Sequence, residues 1–171
     1  MKMMSREVDT NMLNKQIDEF ISGFKTCIVG SLDVEGMPYL SALPVVKLND
    51  KFYGYISETA PHYTHMSANR NIQIMFAEDE AKMTNSFLRK RLYINCKVTF
   101  IKDDELILRE FERIHGELFI STIRKMDFYL IELTIKDGKA IFGAGKAYYL
   151  DSNLEYISQD TGKNKHLKHI K

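Results

Sequence analysis

Two histidines, a pair of hydroxyls and two closely spaced arginines fall in one segment, YISETAPHYTHMSANRNIQIMFAEDEAKMTNSFLRKRL, running from Tyr55 to Leu92. Ser57 and Thr59 stand just before Pro61, which suits the first turn of a helix because the N–H it lacks has no intrahelical partner there. A helix starting near Pro61 offers free N–H groups and the positive end of its dipole, so Ser57, Thr59 and those amides could cradle an anion. His62, in the same turn, could add a charge-assisted hydrogen bond to a phosphate or carboxylate. The alternative is structural: Ser57 and Thr59 cap the helix and His62 is solvated. Arg89 and Arg91 are two apart at the start of a strand, which turns both to one face and Lys90 to the other. Such a fork can grip carboxylates or phosphates in bidentate fashion, although basic residues at strand ends also serve as surface charge or edge protection.

Other constellations carry less. His62 and His65 form an H-x-x-H pair on one helical face, with no third metal ligand at a suitable spacing. Phe142-Gly-Ala-Gly145 ends a strand with two glycines, which allows close approach of a flat ligand or another backbone, but it lacks the span of a dinucleotide fingerprint. Glu78, Asp79 and Glu80 read as a solvated turn. Glu110 and Glu112 fall on different sides of their helix, so paired-carboxylate catalysis finds no support. The C-terminal GKNKHLKHIK carries His166 and His169 among lysines; as a free tail it would be disordered, and its other use is to donate an imidazole to iron across a subunit boundary.

The elements that must position these groups are mostly short strands. Leu13, Ile17, Phe20, Ile21 and Phe24 recur at helical spacing and predict a helix over 10–22. Strands over 25–32 and 39–48 flank the hairpin turn Asp33-Val-Glu-Gly36, and Pro44 predicts an edge or bulge in the second. Asn49-Asp50 turns the chain into a strand over 52–57. A short helix over 60–69 precedes a strand at 72–76, and 90–101 alternates in polarity most clearly. Ile107, Phe111, Ile114 and Leu118 predict a helix over 104–115, capped by Asp103 or Asp104 and stopped by Gly116. Strands over 128–136 and 139–143 surround a turn at Lys136-Asp137-Gly138. About seven hairpin-linked strands with three or four inserted helices favour an antiparallel barrel with peripheral helices over a doubly wound sheet.

Composition narrows the setting. The 171 residues suit a single domain over 1–171, with 1–9 and 164–171 as flexible ends. A net charge of +1 offers no global field for nucleic acid or an anionic membrane, so any basic site must be local. No apolar run approaches the roughly 20 residues needed to span a bilayer, and the N-terminus lacks a secretory apolar region. Cys27 and Cys96 sit in apolar strand-like runs and read as reduced core residues of a cytoplasmic protein.

The ordered set TCIVGSLDVEGMPYLSALPVV, YISETAPHYTHMSANRNIQIMF, EDEAKMTNSFLRKRL and FGAGKAYYL resembles the haem-utilisation proteins of the HugZ/HutZ type, over about residues 10–165. These lie in the pyridoxamine 5′-phosphate oxidase-like, FMN-binding split-barrel superfamily. The resemblance implies an α+β, mainly antiparallel fold: a six-stranded Greek-key split β-barrel with peripheral helices, assembled as a homodimer with two sites at the subunit interface. It implies haem binding, with oxidative haem degradation as the activity and external reductants as electron source. Alternatives within it are an FMN-dependent oxidoreductase and a non-enzymatic haem carrier or store. His62 matches the helix-start position that meets FMN phosphate in flavin-binding relatives. Ser31 matches a small hydroxyl near the ligand, Arg89 and Arg91 a basic strand start facing ligand carboxylates, and Asp127 an aspartate that hydrogen-bonds the partner's iron-ligating histidine. That histidine follows a C-terminal glycine in the branch; after Gly162 this chain has Lys163, which leaves His166 or His169 for the role.

Overall fold

The computed structural model describes residues 8–162, and in it eight strands and four helices follow one another. Helix α1 (Thr10–Ser22) begins at Asp9, whose carboxylate accepts the Met12 N–H at 3.1 Å, and turns Leu13, Ile17 and Ile21 inward. β1 (Thr26–Leu32) and β2 (Pro38–Leu48) form the expected hairpin. One Asp33 carboxylate oxygen closes it by accepting the N–H groups of Glu35 and Met37, while Gly36 adopts φ +83°. Asn49 and Asp50, both at positive φ, lead into β3 (Lys51–Ser57) in the manner of a two-residue primed turn. Then come α2 (Pro61–Ala68), β4 (Asn71–Ala77), two single 3-10 turns (Glu80–Lys82 and Ser86–Leu88) and β5 (Arg91–Ile101). α3 (Glu105–His115), α4 (Glu117–Lys125), β6 (Phe128–Ile141), β7 (Ala147–Leu150) and β8 (Tyr156–Gln159) complete the described chain.

Every strand pairing is antiparallel. The order β3-β2-β1-β4-β5-β6 closes because β6 also pairs with β3, which makes the six-stranded barrel expected from the resemblance. One edge of β6 carries β5. Its other edge carries β3 along Phe128 to Leu133 and then β7 along Gly138 to Ile141, so β7 and β8 leave the barrel as a two-stranded wing. Lys139 and Tyr149 both donate to the Asp160 carboxylate at the wing, at 2.7 and 3.1 Å, and Gly162 N–H donates to it at 2.9 Å. The Lys139 ammonium, with those N–H and O–H donors, holds the Asp160 carboxyl down to about 2.

Two sequence expectations are corrected. Lys136-Asp137-Gly138 is not a turn: β6 runs through it, and a register shift opposite Asn95 and Cys96 absorbs the irregularity as a bulge. Gly138 is needed there because a Cβ would lie 3.1 Å from the Tyr93 carbonyl oxygen and 3.2 Å from Leu154 Cδ2. Leu118 is not part of α3; Gly116 at φ +89° ends that helix, and α4 starts at once without a side-chain cap. Pro44 sits at a local edge, as expected. β2 lies between two partners, but its pairing with β3 begins only at Val45, so the missing N–H is not demanded.

The barrel interior is filled by Leu43, Phe52, Ile74, Phe76, Leu92, Ile94 and Ile131, all nearly inaccessible, with α1 packed against one end. Cys27 and Cys96 belong to this core as free thiols, and burial pushes both thiols up, Cys96 to about 12. α3 and α4 make a second cluster outside the barrel, where Ile107, Leu108, Phe111, Ile120 and Ile123 cover Val46, Tyr53, Tyr55 and Leu130. β3 is therefore buried on both faces. At Gly54 the interior face is so close that a Cβ would stand 2.9 Å from Leu43 Cδ2. Helix α2 is docked by a single fully buried side chain, Met66, which joins the barrel core and fixes the helix over one end of the barrel.

Candidate functional site

The site is built around α2. Its N-cap is Ala60, which offers no side-chain hydrogen bond, so Ser57 and Thr59 do not cap the helix. Their hydroxyls bond to each other at 2.8 Å, and Ser57 Oγ accepts the Thr59 N–H at 3.2 Å. Pro61 removes one donor from the first turn and the Tyr63 N–H returns to the Ala60 carbonyl at 3.0 Å. The anion cradle suggested by the sequence is thus narrow: two linked hydroxyls and the His62 amide. The His62 imidazole is half-buried, and burial, with the neighbouring His65 as the smaller cause, lowers its pKa. His62 therefore favours its neutral form.

One turn along α2, His65 takes a role that its H-x-x-H spacing does not announce. Its Nδ1 lies 3.0 Å from Ser31 Oγ, and the Tyr39 ring meets the imidazole edge-on at 5.2 Å. Ser31 is 3% exposed and is the buried polar side chain of the described residues. On the other side of α2, Tyr63, Phe100 and Tyr129 form an aromatic collar with centroids 5.1 to 6.5 Å apart. Arg70, where α2 passes into β4, stacks its guanidinium 4.5 Å over Phe100. Its Nη1 is buried and has no hydrogen-bond partner among the described residues. Tyr129 donates to Glu58 at 3.1 Å, and that hydrogen bond raises the Tyr129 pKa. Asp127 begins the approach to β6 and is exposed; its carbonyl accepts the Glu58 N–H at 3.2 Å, so it borders the Ser57–Thr59 loop.

Arg89 and Arg91 do not form the predicted fork. Alternation holds only within a strand, and Arg89 lies before β5, at the end of the second 3-10 turn. Its Nε donates to the Glu78 carbonyl and its Nη1 to Glu80 Oε1, both at 2.7 Å. Glu78 and Glu80 are accordingly not free solvated charges: Glu78 Oε2 also accepts the Lys90 N–H at 3.1 Å. Arg91 opens β5 pointing away from the barrel core, with Nη1 3.4 Å from the Arg89 carbonyl oxygen. Gly143 and Gly145, at φ +127° and +69°, make the β6–β7 turn, which is the use of that glycine pair. His166 and His169 lie outside the described residues. Among the described residues no group of three or more His, Cys, Asp or Glu side chains is placed to hold a metal ion.

A cleft of about 630 Å³ crosses the outer face of β1, β4 and β5, lined by Gly30, Leu32, Leu40, Gln73, Asn95 and Lys136 among others. Its floor is a polar ladder: Gln73 Nε2 donates to Asn95 Oδ1 at 3.0 Å, and Asn95 Nδ2 to Asp137 Oδ1 at 2.7 Å. Its apolar lining includes Leu32 and Leu40, both exposed, Leu40 by 71%. No helix among the described residues is long and apolar enough to cross a membrane.

Comparison with known proteins adds the following. The pattern of the pyridoxamine 5′-phosphate oxidase family matches residues 13–142. The chain is 28% identical over 159 residues to the haem oxygenase HutZ of Vibrio cholerae serotype O1, covering 90% of each chain. Among solved structures, ChuZ of Campylobacter jejuni superposes with a TM-score of 0.80 at 35% identity over 89% of this chain. This chain spans only 65% of the length of that ChuZ chain. A V. cholerae HutZ structure, described as a haem storage protein, gives a TM-score of 0.64 at 29% identity, with 70% of this chain and 87% of that one covered.

Proposed function

Because this chain belongs to the pyridoxamine 5′-phosphate oxidase family, we propose that it is a haem-binding protein of haem utilisation, with oxidative haem degradation as its activity. Carriage or storage of haem without turnover is the non-enzymatic form of the same reading. The observation that carries the proposal is the match to a haem oxygenase along nine-tenths of both chains. The residues around α2 suit a flat ligand bearing anionic groups. Tyr63, Phe100 and Tyr129 provide an aromatic wall. The Arg70 Nη1 donor, buried beside it without an acceptor, is the kind of orphan that a ligand oxygen would satisfy. Lys90 and Arg91 add cations at the start of β5.

In this reading Ser57, Thr59, His62, Arg89 and Arg91 hold the polar edge of the cofactor. His166 or His169 ligates iron, and Asp127 orients that imidazole across a dimer interface. A second copy covers the exposed apolar side chains Leu32 and Leu40 at the cleft. Haem, when bound, supplies redox and oxygen chemistry that the polypeptide lacks; the chain binds it, orients it and limits access to it, and an external donor supplies electrons. The two buried free thiols fit a reducing, cytoplasmic setting.

A second reading, an FMN-dependent oxidoreductase, is favoured by one detail: the linked Ser57 and Thr59 hydroxyls beside the His62 amide resemble a phosphate cradle. Haemin added to the purified protein should give a Soret band that is lost in His166→Ala or His169→Ala. With ascorbate in air the band should bleach in an oxygenase and persist in a carrier. A protein that purifies yellow, holds FMN and gives no Soret band with haemin would overturn the haem reading in favour of the flavin one.

A further inference from the structure

The Ser31–His65 pair is not explained by the barrel's packing. A serine hydroxyl pointing into the rim of an apolar core is costly unless its hydrogen finds an acceptor. Ser31 Oγ has one hydrogen-bond partner among the described residues, His65 Nδ1 at 3.0 Å. The buried hydroxyl hydrogen therefore goes to Nδ1, which makes the imidazole the tautomer that carries its own hydrogen on Nε2. Ser31 itself is too enclosed to meet a large ligand, while His65 is only partly buried.

We propose that His65 is the ligand-facing member of this pair, its Nε2–H donating to an anionic group of the bound cofactor, and that Ser31 is the positioning residue that fixes the ring for it. The inference rests on the functional reading above, that a cofactor with carboxylate or phosphate groups binds beside α2. Two further observations point the same way. Tyr39 stands edge-on to the ring at 5.2 Å, so the imidazole is held from a second side. His62 lies three residues earlier, one turn away on the same side of α2, close enough that His65 opposes a proton on it. The helix thus presents two imidazoles to one region, of which His65 can donate without gaining charge.

The test compares charged and neutral forms of the cofactor: haemin against haemin dimethyl ester, and FMN against riboflavin. His65→Asn keeps an acceptor near the Nδ1 position and removes the Nε2 donor; His65→Gln places an amide N–H near the Nε2 position. His65→Asn should bind haemin, or FMN if that is the ligand, about tenfold more weakly, as expected for loss of one hydrogen bond to a charged group. Its affinity for the ester or riboflavin should match that of the unaltered protein, and His65→Gln should recover part of the loss. Ser31→Ala should show the same selectivity to a smaller degree, and Ser31→Thr should restore it. Equal weakening for charged and neutral forms would make the pair purely structural and overturn the inference, as would unchanged binding of all forms. An unaltered protein that binds neither cofactor pair would instead overturn the functional reading, and the His65 role would fall with it.

Discussion

Glu80→Gln should tighten binding of the anionic cofactor. Arg89 is proposed to hold a ligand carboxylate, yet its Nη1 already donates to Glu80 Oε1 at 2.7 Å. The competition is mild, because the Glu80 side chain is 71% exposed and such solvent-screened pairs are worth about 0.2–1 kcal/mol. Neutralising Glu80 leaves Arg89 in place, since its Nε still donates to the Glu78 carbonyl at 2.7 Å. The affinity gain is therefore bounded by the worth of the pair, at most about fivefold at low salt. Near 1 M salt, where the Debye length is about 3 Å, it should vanish. Stability should stay within about 0.5 kcal/mol, as for other surface substitutions. Titration by the Soret band or by flavin fluorescence at low and high salt, with Arg89→Gln in parallel, measures all of this. If neither Glu80→Gln nor Arg89→Gln changes affinity at low salt, Arg89 belongs to the loop and not to the ligand.

Two further outcomes concern the scaffold. Gly54→Ala drives a methyl to 2.9 Å from Leu43 Cδ2; overpacking of about 1–3 kcal/mol, offset by roughly 0.4–1 from a stiffer unfolded chain, should lower Tm by roughly 3–6 °C. Leu43→Val in the same chain should cost less than the two changes summed, and a Gly54→Ala protein that melts higher than the parent would contradict the barrel packing. Stability should also fall on acidification. The pKa values of His62 and His115 are both lowered in the folded protein from an ordinary value of 6.5, in each case chiefly by burial. Above that value neither state binds the protons. Below it the unfolded chain takes them first, so stability is lost as pH falls from about 7 through the depressed folded values. His115, whose ring packs beside those of Phe111 and Phe119 at 5.5 and 4.8 Å, is the cleaner probe: urea midpoints of His115→Gln should fall less between pH 7 and 5 than those of the parent.

What the sequence made legible follows from local periodicity. α1, the Asp33–Gly36 hairpin, the Asn49-Asp50 turn, the Pro61 helix start and the alternation of β5 each carry their signal within a few residues. The strand pattern points to an antiparallel barrel, and resemblance to a known branch supplies its six-stranded form. The misreadings arise where a distant partner decides. Lys136-Asp137-Gly138 has the chemistry of a turn, but pairing with β5 on one edge and β3 then β7 on the other holds it extended. α4 was hidden because Gly116 ends one helix and starts the next with no capping side chain to announce it. Arg89 lies two residues before β5, where strand alternation no longer applies. Ser31 was singled out as a ligand neighbour, but only the fold reveals that His65 stands over it, since the two are 34 positions apart.

The clamp at Asp160 has a consequence for the histidines beyond it. Lys139, Tyr149 and the Gly162 amide all fasten the chain there, so Gly162 acts as the fixed end of a tether. His166 lies four positions after Gly162 and His169 seven. At no more than about 3.6 Å per residue, the leash is about 14 Å for the first and about 25 Å for the second. Any iron that either imidazole serves, in its own subunit or another, must come within that radius plus the reach of one histidine side chain from the wing's end. The wing, which adds nothing to closing the barrel, is in this sense the surveyor's stake from which the metal's position is measured.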